Sequence, residues 1–146
     1  MPRPQLSLKG RALRLLSGRE HSRSELERKL AGHEEEPGQL RRVLDELQAK
    51  GFIDHRRVAE SVVHRRAAKL GAARMRQELQ AKGLEPELVS QAVAGLRATE
   101  FERAQEAWRR KFGEVPSDAA ERARQARFLA ARGFAGDVIR RVLAGR

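Results

Sequence analysis

The chain has 146 residues, with 31 Lys or Arg against 20 Asp or Glu, so its formal net charge is +11. Cysteine is absent, which excludes disulfide bonds, thiol nucleophiles and zinc sites that need sulfur. No apolar run approaches the roughly 20 residues that span a bilayer, and the first residues lack the pattern of a secretory signal. We therefore expect a cytoplasmic protein without membrane spans.

Apolar residues recur at helical spacing along almost the whole chain, and no convincing strand pattern competes. Residues 40–47 show this clearly, with Leu or Val at i, i+3, i+4 and i+7. Trp108 continues a similar stripe from Phe101, which we interpret as core rather than as a platform for stacking a nucleic-acid base. The sequence predicts an all-α protein with helices near 8–18, 22–32, 37–50, 54–69, 71–82, 86–96, 98–113, 117–132 and 136–144.

Local chemistry predicts where these helices begin and end. Ser22 with Glu25 forms a capping box, while Asp54 and Ser117 are suited to the N-cap position. Proline suits a helix start and glycine a helix end. The residues that we interpret in this way are Pro37, Pro86 and Pro116 at starts, and Gly83 and Gly133 at ends.

The predicted helices fall into three copies of one three-helix unit, in residues 1–53, 54–96 and 97–146. The second and third copies align at an offset of 50 residues, so that Leu79 corresponds to Leu129 and Gly83 to Gly133. Because such units bury their faces mainly against neighbours, we expect three tandem three-helix repeats in an elongated, curved array of either hand. The alternative at this point is a collapse of all three units around one core.

Positive charge is concentrated in the middle of the chain, where residues 55–83 hold 8 Lys or Arg against 2 acidic residues. A negatively charged partner should meet this segment first. Arg66 shares the apolar face of its helix, which predicts an internal ion pair with Glu78. The side chains that we predict to contact a partner lie off the apolar faces or at their edges, and they are Arg57, Arg65, Arg74, Lys82, Arg110 and Arg140.

Sequence motifs for catalysis are missing. Neither a GxxxxGK[ST] phosphate loop nor a GxSxG nucleophile motif occurs, and Asp45 and Glu46 point to different sides of one helix. The four histidines lack metal-ligand spacing, and His33 with the three glutamates after it is better explained as an acidic turn. We therefore predict no catalytic residue, no metal site and no cofactor.

Residues 51–89 carry a specific pattern: Gly, an aromatic, an aliphatic and Asp, then spaced arginines, an RI-x-x-EL type of helix and a closing KG. The matching residues are Gly51, Phe52, Ile53, Asp54, Arg57, Arg66, Gly71, Arg74, Met75, Glu78, Leu79, Lys82 and Gly83. This stretch resembles the central unit of the RecX family of bacterial recombinase modulators, and residues 12–30 resemble the family's first unit. Val58 stands where the family commonly has an aromatic residue, and Met75 stands where it has an aliphatic one. Both differences affect packing more than function.

The resemblance implies a noncatalytic regulator of recombination and DNA repair. It would bind the RecA nucleoprotein filament and inhibit its ATP hydrolysis, strand exchange and coprotease activity, and we expect it to be a monomer. The net charge leaves a second hypothesis open, in which a sequence-nonspecific module binds single- or double-stranded DNA and competes with RecA for it.

Overall fold

A computed structural model describes residues 5–145, so the outermost ends of the first and third predicted repeats lie outside the described residues. Within 5–145 the regular structure consists of nine α-helices and one short 3-10 turn, with no strand. The helices are α1 Leu8–Gly18, α2 Arg23–Leu30, α3 Gln39–Ala49, α4 His55–Arg66, α5 Ala72–Ala81, α6 Pro86–Arg97, α7 Glu100–Lys111, α8 Ala119–Ala131 and α9 Gly136–Leu143, and the 3-10 turn is Ala31–His33. The all-α prediction is confirmed.

Local chemistry explains several helix starts. The Ser22 hydroxyl accepts from the Glu25 N–H, and Glu25 accepts from the Ser22 N–H, which completes the predicted capping box. Asp54 caps α4, and Pro86 is the first residue of α6, as predicted.

Three predicted starts, those of α3, α7 and α8, are wrong by two residues. Pro37 does not open α3, because Gly38 follows it with a φ of +84° and the helix begins only at Gln39. Pro116 and Ser117 do not open α8, since Asp118 accepts a hydrogen bond from the Glu121 N–H and caps the helix at Ala119. In α3 and α8 the N-cap is therefore a residue that follows the proline, Gly38 or Asp118.

Three separate hydrophobic cores divide the helices into consecutive trios. Leu26 and Leu44 lie at the centre of the core of α1–α3, Met75 and Leu79 at the centre of that of α4–α6, and Leu129 in that of α7–α9. Trp108 packs against the third core, as predicted. Separate cores contradict the alternative of one collapsed centre and confirm an array of three-helix repeats.

The second and third trios repeat the same turn. Leu79 and Leu129 are both fully buried, and Gly83 and Gly133 both have a left-handed φ, of +71° and +85°. Glycine adopts this φ without the strain that a side chain would bring. The 50-residue correspondence therefore holds in three dimensions at the end of α5 and of α8.

The accessible surface supports an extended arrangement of these trios. It amounts to 9426 Å², whereas a compact monomer of 16.5 kDa exposes about 7,500 Å². The excess is expected when each core is covered by neighbours on two sides only. Among the helices described, none is long and apolar enough to cross a membrane.

Candidate partner-binding surface

Three of the predicted contact residues project into solvent. Arg65 on α4, Arg74 on α5 and Arg140 on α9 are exposed, and within residues 5–145 no carboxylate forms a salt bridge with any of them. Arg110 on α7 is also exposed, although its Nε lies 3.0 Å from Glu106 Oε1. A pair so open to water contributes little, which leaves the Arg110 guanidinium available to a stronger acceptor.

The other two predicted contact residues lie at the junction between the first and second repeats. Arg57 Nε is 2.9 Å from Glu20 Oε1, and its Nη1 is 3.3 Å from Asp54 Oδ2. Lys82 Nζ is 3.2 Å from Glu25 Oε1. Both cations are thus already paired with carboxylates of this chain. Their positions on the helices do not by themselves predict these ion pairs.

Glu25 is the buried centre of this junction. Burial by itself raises the pKa of the Glu25 carboxyl, but hydrogen bonds from Arg19, the Ser22 backbone and Lys82 lower it to about 2. The carboxylate is therefore charged at neutral pH and binds Arg19 of its own repeat and Lys82 of the next. One side chain both caps α2 and connects two repeats.

His55 adds a second polar link at the same junction. Its Nε2 lies 3.1 Å from the Arg23 backbone N–H, so Nε2 must be the acceptor. The proton of the neutral ring then sits on Nδ1, which lies 2.8 Å from Glu85 Oε1 and donates to it. His55 therefore connects the start of α2 to the residue that precedes α6. Only the position of His55 in the first turn of a helix is visible in the sequence, and nothing there indicates this link.

Arg66 and Glu78 form a two-pronged ion pair between α4 and α5. Arg66 Nη2 lies 2.7 Å from Glu78 Oε1, and Arg66 Nε lies 3.1 Å from Glu78 Oε2. The planar guanidinium matches both carboxylate oxygens at once. The Arg66 guanidinium is therefore bound to a carboxylate of its own repeat.

The junction between the second and third repeats rests on two residues of α7 that the sequence analysis missed. The buried carboxylate of Glu100 accepts from the Ala72 N–H at 2.6 Å and from the Ala135 N–H at 3.4 Å. Glu100 thus caps the start of α5 while also binding next to α9. Its signal in the sequence was its place four residues before Ala104, on the apolar face of α7.

Arg103 complements Glu100 with the opposite charge. Its guanidinium donates to the backbone carbonyls of Ala67 and Leu70, which follow α4, and of Leu96 in the last turn of α6. Burial lowers the pKa of Arg103, and Glu100 counteracts that shift. The third repeat therefore binds the second through one carboxylate, of Glu100, and one guanidinium group, of Arg103.

A groove of about 760 Å³ follows this junction. Arg76 and Arg97 line it together with Gln77 and Gln80, over apolar side chains that include Phe134. Neither arginine is among the predicted contact residues, and Arg97 lies outside the central basic segment of residues 55–83. The groove is lined both by the central basic segment and by the third repeat.

Family models match the chain in three consecutive segments. They are described as the first, second and third three-helix domains of RecX, and they match residues 9–47, 54–93 and 98–143 respectively. Together these segments cover most of the chain.

Individual proteins agree with the family models. Regulatory protein RecX of Leptothrix cholodnii is 58% identical over 141 residues, covering 97% of this chain and 90% of that protein. Regulatory protein RecX of Ralstonia nicotianae is 48% identical over 145 residues, covering 99% and 91%. A crystal structure of RecX from Lactobacillus salivarius superimposes with a TM-score of 0.74 at 20% identity, covering 94% and 93%, and that likeness bears on the fold.

Proposed function

The chain belongs to the RecX family, and from this premise we propose that it is a negative regulator of RecA that binds the RecA nucleoprotein filament. Binding would inhibit ATP hydrolysis by the filament, strand exchange and coprotease activity. The observation that carries the proposal is 58% identity with a protein named regulatory protein RecX over 97% of this chain. The relatives of this chain are named regulatory proteins, which supports a role in regulation.

Regulation of this kind requires a surface and no reaction centre. A protein that binds one state of a filament more tightly than the other states shifts the filament toward that state. An array of three cores in a row offers contacts spaced along its length, so that it can touch more than one protomer of a polymer. We propose that residues 1–53, 54–96 and 97–146 act as the three contacting units.

We propose that the exposed guanidinium groups of Arg65 and Arg74 form the centre of the contact surface, with Arg110 and Arg140 extending it. Arg57 and Lys82 belong to its edge, since their side chains are 44% and 21% exposed while bound to Glu20 and Glu25. Acidic protein surface or DNA phosphate in the filament would supply the opposite charge.

The test is ATP turnover by RecA on single-stranded DNA with increasing amounts of this protein. Turnover is expected to fall, and the double variant Arg65→Ala with Arg74→Ala is expected to need about tenfold more protein for the same inhibition. Arg122→Ala with Arg127→Ala is the matched control, because both arginines are exposed on α8 and the same charge is removed. Unchanged turnover at saturating protein would refute the proposal.

The charge of +11 favours a second function, namely binding to DNA without sequence preference and displacement of RecA by competition. That function predicts inhibition only at concentrations at which the protein alone binds DNA, with a steep loss at higher salt. Pull-down of RecA in the absence of DNA separates the two, since a pure competitor for DNA does not bind RecA.

A further inference from the structure

The first repeat contains a cleft of about 570 Å³ between α1, α2 and the 3-10 turn that follows α2. None of the described residues that line it carries a carboxylate. The polar side chains that line it are basic or imidazole groups, and they are Arg11, Arg14, Arg19, His21, Lys29 and His33. This cleft lies outside the central basic segment on which the proposed RecA contact depends.

Helix geometry brings these groups together. Arg11, Arg14, Leu15 and Gly18 are spaced at i, i+3, i+4 and i+7, so they share one face of α1. Gly18 leaves that face open at its end, because a Cβ built there meets no atom within 4 Å. The opposite wall comes from the last turn of α2 and the turn beyond it.

His21 holds the ammonium group of Lys29 by a hydrogen bond. The His21 side chain is buried, and its Nδ1 lies 3.0 Å from the Arg19 carbonyl oxygen, which can only accept. Nδ1 is therefore protonated, and Nε2, which lies 3.0 Å from Lys29 Nζ, is the acceptor for the ammonium group. Burial lowers the pKa of His21, with the charges of Arg19 and Lys29 acting in the same direction, so the ring stays neutral in this role.

The positive charge of the cleft is only partly balanced. Arg19 is bound to Glu25 at 2.8 Å. In the part of the chain that the structure describes, Arg11, Arg14 and Lys29 form no salt bridge with a carboxylate. Three cations around one concavity repel each other, and an anion that contacts all three removes that repulsion.

Part of the cleft lining is apolar. Leu6, Leu15 and Leu30 line the cleft, and its volume lies within the roughly 300–1,000 Å³ that small-molecule sites occupy. A phosphate group has enough oxygens to accept from Arg11, Arg14 and Lys29 together, whereas a single carboxylate has only two. The leucines suit the face of a flat base attached to that phosphate.

We propose that this cleft binds the phosphate of a nucleotide, either free or within a single strand, with the base against the leucines. The site is additional to the proposed regulation of RecA, and it is tested with this protein alone. Failure of either proposal therefore leaves the other standing.

The experiment is calorimetric titration of the full chain at low salt with deoxyadenosine monophosphate, inorganic phosphate, a short oligothymidine and hexaglutamate. Deoxyadenosine monophosphate or oligothymidine is expected to bind, and Arg14→Gln and Lys29→Gln are each expected to weaken that binding about tenfold. Arg28→Gln is the matched control, because Arg28 is exposed on the same helix as Lys29 but does not line the cleft, and it should leave the affinity unchanged.

A second pair of variants tests the position of the ligand without removing a cation. Gly18→Glu places a carboxylate in the cleft and should abolish binding. Gly95→Glu should not, because Gly95 lies in α6, away from the cleft, and also has open space around it. Circular dichroism verifies that each variant is folded.

Sensitivity of the mononucleotide to Arg14→Gln supports a site for free nucleotides, and sensitivity of oligothymidine alone supports a site for a strand. The proposal is overturned if neither ligand binds, if Arg28→Gln weakens binding as much as Arg14→Gln, or if hexaglutamate or inorganic phosphate binds as tightly as the nucleotide.

Discussion

Gly71 and Gly133 approach each other so closely that neither has room for a β-carbon. A Cβ built on Gly71 would lie 2.3 Å from the Gly133 carbonyl oxygen, and one built on Gly133 would lie 2.3 Å from the Cβ of Arg74. The Gly71 N–H donates to the Arg132 carbonyl at 2.7 Å. The turn after α8 therefore packs directly on the start of α5, backbone against backbone.

Gly71→Ala is expected to lower the free energy of unfolding by about 1–3 kcal/mol, because backbone atoms obstruct the new methyl group and cannot rotate away. The φ of Gly71 is −77°, which alanine adopts freely, so the cost is steric and arises at the junction. Urea unfolding of the wild type and the variant measures the change.

Gly95→Ala is the control for that substitution. Gly95 lies inside α6 with no atom within 4 Å of an added Cβ, so alanine should stabilise the protein by about 0.5–1 kcal/mol. Equal effects of the two substitutions would contradict the close approach at Gly71.

Glu100→Gln tests the buried carboxylate that connects the second and third repeats. Glutamine keeps one acceptor oxygen but loses the charge that faces the backbone N–H groups of Ala72 and Ala135. We expect a loss of about 1–3 kcal/mol in the free energy of unfolding, measured by urea denaturation. Glu102→Gln, exposed two residues later, should change it by less than about 0.5 kcal/mol. Similar losses for both would show that the junction does not depend on Glu100.

Glu25 makes stability depend on pH in the acidic range. Its pKa is about 2 in the folded chain, below the ordinary value of 4.5, so the folded state binds fewer protons than the unfolded state between these two values. Its contribution is complete above about pH 5 and decreases as the pH falls toward 2. Urea midpoints from pH 6 to pH 3 should therefore decline less steeply in Glu25→Gln than in the wild type. Parallel declines would rule out this role.

Arg66 and Glu78 should be energetically coupled. A double-mutant cycle with Arg66→Ala and Glu78→Ala is expected to give a coupling of about 0.5–1 kcal/mol, since the pair is two-pronged but partly exposed. Arg65→Ala combined with Glu78→Ala supplies the comparison, and it should be additive because Arg65 has no contact of this kind. Coupling of equal size in both cycles would argue against a specific pair.

Much of the fold followed from local patterns, and the errors have local causes too. The apolar period and the capping residues predicted α1 and α6 to within about one residue, because the hydrogen bonds that start a helix involve side chains only a few positions away. At Pro37 and Pro116 the same logic placed the start too early, since Gly38 and Asp118 set the first turn.

The candidate contact residues divide in a similar way. The helical projection placed Arg65 and Arg74 off the apolar faces, where they are exposed. It also pointed to Arg66 and Glu78, which lie on adjacent helices of one repeat. It did not distinguish Arg57 and Lys82 from free surface cations, because Glu20 and Glu25, which they bind, belong to the preceding repeat.

The sequence by itself determined nine helices, their grouping in threes and the family to which the chain is similar, because each depends on residues close together along the chain. Only the tertiary structure decided which polar groups connect one repeat to the next. Ala72 and Glu100 are 28 residues apart, and Gly71 and Arg132 are 61 apart. Whether such residues meet depends on how one helical trio is rotated against its neighbour, and that rotation follows from the packing of whole faces rather than from any short pattern.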